Sequence, residues 1–151
     1  MEKDTAVIIT GNHDYGRMVS RAAGVVYNPD SDQSIVRVLN GEVLGGVTYQ
    51  GYTGKSIQMH FAGFKPGWGN REFIWMAFDY PFNQLGCTHV FGQVPESNVR
   101  ALEIDQKLGF KIVAKIDDVF PDGACYVLAL AREDCRWLNF KPRSLAVRSE
   151  I

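Results

Sequence analysis

PESNVRALEIDQKLGF, residues 95–110, spells out one element together with both of its ends. Pro95, Glu96, Ser97 and Asn98 supply a helix start, and Gly109 supplies a left-handed stop after Leu108. Between them Ala101, Ile104 and Leu108 recur at helical spacing on one face, while Arg100, Glu103 and Lys107 form the other. Glu103 and Lys107 stand at the i, i+4 spacing at which opposite charges support a helix. The segment predicts a short amphipathic helix with its apolar side on a core, and it sets the frame for its neighbours.

Just upstream, CTHVFGQV (residues 87–94) reads as a short buried strand. Before it, residues 71–85 are apolar on nearly every side, with Phe73, Ile74, Trp75, Met76, Ala77, Phe78, Tyr80, Phe82 and Leu85. That is a helix with little solvent exposure. Pro81 removes a backbone donor inside it, which predicts a kink or restart, and Gly86 ends it. Further back, residues 35–39, 43–52 and 56–62 are β-rich runs separated by Asn40-Gly41 and Thr53-Gly54-Lys55, both turn sequences, and predict three antiparallel strands. In the third, Ile57, Met59 and Phe61 alternate with Gln58 and His60, giving one apolar and one polar face. A strand, helix and strand of these lengths imply a parallel pair formed by residues 56–62 and 87–94. Downstream, residues 110–116 and 124–131 alternate as strands and are joined through the turn Pro121-Asp122-Gly123, so they form a hairpin. A short helical turn is expected around Cys135, Arg136 and Trp137, and residues 143–151 read as a loose tail.

The 151 residues, 46% of them hydrophobic, suffice for a core without disulfides or metal, and no linker or repeat divides residues 1–151, so a single domain is expected. Sixteen basic and 17 acidic residues leave a net charge of −1, which gives nucleic acid, anionic membranes and polyanionic substrates no global attraction. Cys87, Cys125 and Cys135 are odd in number and widely spaced, the usage of reduced cysteines in a cytosolic protein. The N-terminus has no basic stretch followed by a long apolar run, and no segment has the length to span a bilayer; a soluble, unprocessed chain is expected. His13 and His89 are isolated and no Cys/His spacing matches a zinc site, so no metal is expected.

Several residues carry chemistry by type and place. Pro66-Gly67-Trp68-Gly69-Asn70-Arg71 lies between a strand and a helix, where freed amides and close backbone approach suit a pyrophosphate; the same glycines also serve an ordinary turn. His60, on the polar face of its strand, has the intrinsic pKa of a general base, or alternatively is a half-buried histidine bonded to its neighbours. Tyr80 and Tyr126 are candidate proton donors that ordinary packing also explains. Glu72 and Asp79 read as solvated or helix-start carboxylates. The serines and cysteines lack a nucleophile context, and the aromatic run of residues 73–82 has the helical period of a core rather than a base-stacking surface.

The order of antiparallel strands, Gly-rich loop, central helix, strand and helix resembles the GNAT N-acetyltransferase fold along most of the chain. Asn98-x-x-Ala101, seven residues, then Gly109-Phe110 matches that family's fragment at the helix after the fifth strand. The wording FDYPFNQLG and the ending CRWL resemble compact members encoded by bacteriophages. The resemblance implies an α/β (α+β) fold with a mixed, mainly antiparallel sheet, a splayed parallel strand pair and flanking helices. It further implies acetyl-CoA, or another acyl-CoA, as ligand. Phe61 and Gly63 would offer backbone groups to the pantetheine arm, Gly67, Trp68, Gly69, Asn70 and Arg71 would meet the pyrophosphate, and Asn98 would approach from the end of the next strand. The chain departs from the family at Pro66 and Arg71, which replace the usual first and last residues of the loop signature, although Arg71 can pair with a phosphate. It departs again at Asp105, in the slot of the family's proton-donating tyrosine; as an exposed residue Asp105 is expected to be ionised and unable to donate. His60 and Tyr80 are the candidate catalytic replacements.

The function implied is acyl transfer to an amine by direct attack on the thioester, the acceptor being a small molecule or a protein chosen by residues 11–28. The alternative is a GNAT-shaped binding protein that has lost catalysis and acts on a protein partner, with the missing tyrosine in its favour. The location expected is the cytoplasm, the host's if the chain is phage-encoded. Strand edges leave room for a homodimer.

Overall fold

Residues 6–150 are described in the computed structural model of the chain. They form one eight-stranded sheet in the order β6-β7-β5-β4-β3-β2-β1-β8. Its strands are β1 (Val7–Thr10), β2 (Gln33–Leu39), β3 (Glu42–Gln50), β4 (Ser56–Gly63), β5 (His89–Pro95), β6 (Lys111–Phe120), β7 (Gly123–Ala131) and β8 (Val147–Ser149). The helices are α1 (His13–Ala23), α2 (Arg71–Asp79) and α3 (Val99–Leu108). Neighbouring strands are antiparallel except β4 with β5 and β1 with β8. This is the mixed, mainly antiparallel sheet with a parallel pair and flanking helices that the sequence predicts.

Local chemistry explains the elements. Asn40 and Gly41 both adopt positive φ, 51° and 78°, as a tight turn joining β2 to β3 requires. α3 starts where expected, its Asn98 side chain accepting from the Ala101 amide, and it stops at Gly109 with φ 111°. α2 is capped by Asn70 and runs into a π-helical turn, Tyr80–Gln84, which contains Pro81. The wider turn, closed by the Leu85 amide on the Tyr80 carbonyl, accommodates the proline that a straight α-helix would reject.

α2 and α3 share one face of the sheet, and α1 covers the other. On the first face Ile57, Met59 and Phe61 of β4 pack with Phe73, Phe78, Phe82, Val90, Val94 and Leu128. On the second, Val36, Val38, Val43 and Ala62 gather around Val19 of α1. Phe61, Phe73, Phe78 and Phe82 are among the largest fully buried side chains, each worth about 1.5–3 kcal/mol in burial.

Besides β1 and α1, which the reading of the sequence did not delimit, two segments differ from it. β6 extends to Phe120 through register shifts and a positive φ at Asp118, so residues expected in a loop continue the hairpin. The tail contributes β8: the Ile8 amide donates to the Ala146 carbonyl and the Glu150 amide to the Thr10 carbonyl, at 2.8 and 2.7 Å. β1 has an open edge whose backbone groups need partners, and the tail satisfies them although all three β8 side chains are exposed.

The feature that positions the site is the parallel pair. β4 and β5 pair only at Ser56 with His89, Ile57 with Val90 and Gln58 with Phe91. Beyond that point β4 stays with β3 as far as Gly63, and β5 stays with β7 as far as Pro95, so the two strands part. Among the described residues no helix is long and apolar enough to cross a membrane.

Candidate active site

The splay between β4 and β5 opens into a groove whose first wall is the loop from β4 to α2. Trp68 packs closely against β3 and β4: a Cβ added to Gly63 would stand 2.3 Å from its Nε1, and one added to Gly45 would stand 2.7 Å from its Cβ. Glycine at both positions is what lets the indole approach. Arg37, buried beneath the loop, donates from Nη1 to the Gly67 carbonyl at 2.8 Å and pins the turn. Asn70 accepts from the Phe73 amide at 2.9 Å, so its side chain is engaged in capping. Helix geometry leaves the Arg71 and Glu72 amides without intrahelical acceptors. The Arg71 guanidinium sits over the Phe140 ring, 4.8 Å from its centroid.

The second wall is α3. Arg100, Glu103, Ile104, Lys107 and Leu108, with Trp137, face Gly67, Trp68 and Gly69 across a cavity of about 330 Å³. A smaller cavity of about 70 Å³ continues inward between Phe61, Gly63, Asn98, Ala101 and Ile104, reaching Ala22 of α1. Arg100 and Ile104 line both, so the two form one path from the loop to the splay. Arg100 also crosses it, donating from Nη2 to the Gly63 carbonyl at 3.2 Å. Asn98 caps α3 with its oxygen and donates from Nδ2 to the Ala22 carbonyl at 3.1 Å, tying α1 to the inner end. Of the residues the resemblance singles out, Phe61, Gly63, Gly67, Trp68, Gly69 and Asn98 therefore line this path; Asn70 lines a different depression with Arg37 and Glu72.

Arg100, Glu103 and Lys107 are the residues that the sequence reading missed as site residues, because a helical face polar enough for water is equally suited to a charged ligand. Trp137, whose Nε1 donates to the Leu108 carbonyl at 2.9 Å, had no signal beyond the expected turn near it.

Asp105 requires a correction. It is not exposed: it is 3% accessible, on the same stripe of α3 as Ala101 and Leu108. Among the described residues its Oδ1 is a buried side-chain oxygen with no hydrogen-bond partner. Burial alone pushes its carboxyl up to about 8, so it is largely the neutral acid at neutral pH and has a proton to donate.

The two predicted catalytic side chains lie elsewhere. His60 is buried on the α1 face of the sheet, its Nε2 2.9 Å from Gln50 Oε1. Gln50 Nε2 donates to the Asp32 carboxylate and to the Val26 carbonyl, both at 3.1 Å, which turns the amide oxygen toward His60. The proton of the imidazole is thus on Nε2 and the lone pair on Nδ1. Burial lowers its pKa to about 4, partly opposed by Asp32, so the ring is neutral and weakly basic. Tyr80 stands past the C-terminal end of α2, its ring against Tyr49, and lines a separate cavity with Thr10, Gln33 and Ser34. The structure does not bring Tyr80 to the splay or to His60. Asp79 accepts from Asn83 and Gln84 and holds the π turn. The Lys115 ammonium lies over the ring of Tyr126. Among the described residues no three His, Cys, Asp or Glu side chains are grouped to hold a metal ion.

No family model matches the chain, and no curated protein matches it in sequence. Solved structures do match it. The N-acetyltransferase PseH of Campylobacter jejuni, in complex with acetyl coenzyme A, aligns over 68% of this chain and 69% of its own, at 20% identity and a TM-score of 0.51. Mutant forms of the spermidine/spermine N-acetyltransferase SpeG from Vibrio cholerae align over 89% and 98%, at 15% identity and a TM-score of 0.64. A GNAT-family acetyltransferase from Bacillus anthracis aligns over 82% and 88%, at 13% identity and a TM-score of 0.54. At these identities the likeness is one of fold, and the fold is that of the GNAT acetyltransferases.

Proposed function

We propose that this chain, built on the GNAT fold, is an acyl-CoA-dependent N-acyltransferase, with acetyl-CoA as the donor and an amine as the acceptor that attacks the thioester directly. The observation that carries this reading is the splay: past Gln58 and Phe91 the facing edges of β4 and β5 no longer pair with each other, and the gap continues into the groove under α3. Backbone groups held apart this way suit an extended arm bearing amides, which pairs with them as an added strand does. The donor set fits. Phe61 and Gly63 supply the strand groups, and Gly67, Trp68, Gly69 and the first amides of α2, with Arg100 and Lys107, supply an anion-binding end. Asn70 contributes through its backbone, Arg71 only after leaving Phe140, and Asn98 by fixing the start of α3.

Acetyl-CoA brings an activated acyl group, so the protein's part is positioning and proton management. Arg100 must release the Gly63 carbonyl for an arm to pair there. On the other face of the sheet, His60, Gln50 and Asp32 tie β4 to residues 26–32 and order the side from which an acceptor approaches; at its lowered pKa His60 serves this purpose better than strong base catalysis. Tyr80 takes no part. The acceptor class remains to be drawn from amines, polyamines such as SpeG's spermidine among the first to try. The wording FDYPFNQLG and CRWL supports assignment to the phage-encoded members and hence to a host cytoplasm, and the exposed Ile112, Val113, Ile116 and Val119 of edge strand β6 support a homodimer. The reading as a binding protein without catalysis draws on the missing tyrosine, and a buried, largely neutral acid at Asp105 in that slot weighs against it.

The test is calorimetric titration with acetyl-CoA, followed by thiol release with a panel of amines. Saturable binding and amine-dependent release are expected. An absence of heat and of thermal shift at about millimolar ligand would sink the proposal.

A further inference from the structure

Away from the groove, the α2 face of the sheet carries another cavity, of about 260 Å³, where β1, β2 and the tail meet. Its floor follows from strand alternation. Ile8 and Ile35 point into the core on the α2 face; Thr10 and Gln33 lie two residues along from them and Val147 pairs across from Ile8, so all three point the same way. The roof is Met76 of α2 with Tyr80 and Gln84 of the π turn. β8 closes the outer side, held to β1 by backbone hydrogen bonds, which gives the exposed tail strand a task.

The walls are fixed and chemically mixed. The Tyr80 ring stands edge-on to Tyr49, centroids 4.9 Å apart and planes at 68°, and Gln84 Nε2 donates to Asp79 at 2.9 Å. The Tyr80 ring, Met76, Ile35 and Val147 are apolar, whereas among the described residues no hydrogen bond engages the Thr10 hydroxyl or the Gln33 side-chain amide. None of the lining residues is charged, in contrast to Arg100, Glu103 and Lys107 in the groove. The charges on neighbouring elements are engaged elsewhere: Asp79 accepts from Asn83 and Gln84, and Glu150 pairs with Arg148 and accepts from Asn12.

Such walls select by chemistry. The volume falls just below the about 300–1,000 Å³ of sites for drug-sized ligands, which leaves room for one or two rings. Between the Tyr80 ring, the Met76 thioether and the strand floor a flat ring packs well. With no opposite charge to meet it, a carboxylate, phosphate or ammonium would be desolvated at a cost. Gln33 and Gln84, both exposed at the rim, each present a donor and an acceptor, which an amide edge on the ligand answers in kind. We propose that this cavity is a second ligand site, taking a neutral planar heteroaromatic ring with an amide edge, the chemistry shared by nicotinamide and by nucleobases such as uracil. It shares no lining residue with the groove, so it is independent of the acyl-transfer reading.

The experiment is an NMR titration of the full chain with nicotinamide and with uracil, against nicotinate, which carries a charge in place of the amide, and toluene, which has no polar edge. Nicotinamide or uracil should bind with Kd on the order of 0.1–1 mM and shift the Met76 and Val147 methyls and the Gln33 and Gln84 side-chain amides. The tighter of the two names the source of the ring. Nicotinate and toluene should bind at least about tenfold more weakly. Val147→Trp, at an exposed strand position, fills the cavity and should abolish binding. Gln33→Leu combined with Gln84→Leu leaves the cavity open and should weaken binding about tenfold. Backbone amide signals remote from the cavity, unchanged in both variants, report an intact fold. The proposal is overturned if neither ring binds at about 10 mM, if the shifts fall in the groove instead, if nicotinate or toluene binds as tightly, or if either variant binds like the parent.

Discussion

Exchanging Asp105 for Asn should make the protein more stable at neutral pH, against the usual expectation for a buried substitution. The carboxyl has an ordinary value of 3.8 and is pushed to about 8 in the fold by burial. Between those values the unfolded chain has lost the proton and the native chain has kept it, so the native state binds more protons and stability falls as pH rises. The slope is about 1.4 kcal/mol per pH unit, and the interval from 3.8 to neutrality amounts to a penalty on the order of 4 kcal/mol at pH 7. The Asn amide carries a desolvation cost close to that of the neutral acid but no titration, so the variant escapes the pH-dependent part. Urea unfolding of both proteins at several pH values between 4 and 9 measures this. The stability gap should be small near pH 4, widen through pH 7 and level off above about pH 8, where both states of the parent are ionised. His60 is present in both proteins and cancels in the difference. A gap that does not change with pH, or a variant less stable than the parent at pH 7, would refute the burial of a neutral acid.

His60 should shape the acid side of the parent's own stability curve. Its folded value of about 4 lies below the ordinary 6.5, so stability is lost as pH falls from 6.5 toward 4, by about 3 kcal/mol in all, and His60→Gln should flatten that limb in urea titrations. Gly63→Val should cost several kcal/mol, roughly 2 or more, and abolish acetyl-CoA binding, because even a Cβ would stand 2.3 Å from Trp68 Nε1; retained stability and binding would show that the indole is free to move. Lys107→Ala should weaken acetyl-CoA about 3- to 10-fold while leaving the affinity of S-acetylpantetheine, which lacks the phosphates, unchanged; equal losses for both would place the phosphates elsewhere.

The fold was legible where short-range rules coincide. The residue 95–110 segment carries its own cap, stripe and stop, and Asn98 and Gly109 perform those roles in the structure. The segments of the parallel pair could be named, but the point at which they part, after Gln58 and Phe91, depends on tertiary packing with no local signature. β8 was illegible because three exposed residues answer the needs of a distant edge strand rather than a pattern of their own. In the site, the glycines that permit a close approach are Gly45 on β3 and Gly63 at the end of β4, and what approaches them is the protein's own Trp68, whereas a Cβ on the loop's Gly67 would meet nothing within 4 Å. The polar face of α3 carried no sign of a ligand in the sequence because periodicity distinguishes buried from unburied, not water from ligand. The position of Asp105 was legible after all: it stands four residues after Ala101 and three before Leu108, on the apolar stripe, and an acid there signals a perturbed carboxyl.

A crystal structure of the chain with acetyl-CoA tests the central claim most directly. The account predicts the pantetheine arm paired along Phe61 and Gly63, Arg100 displaced from the Gly63 carbonyl and the phosphates at Gly67–Trp68–Gly69. Acetyl-CoA bound outside the splay, or an arm that enters it without pairing to Phe61 and Gly63, would contradict it.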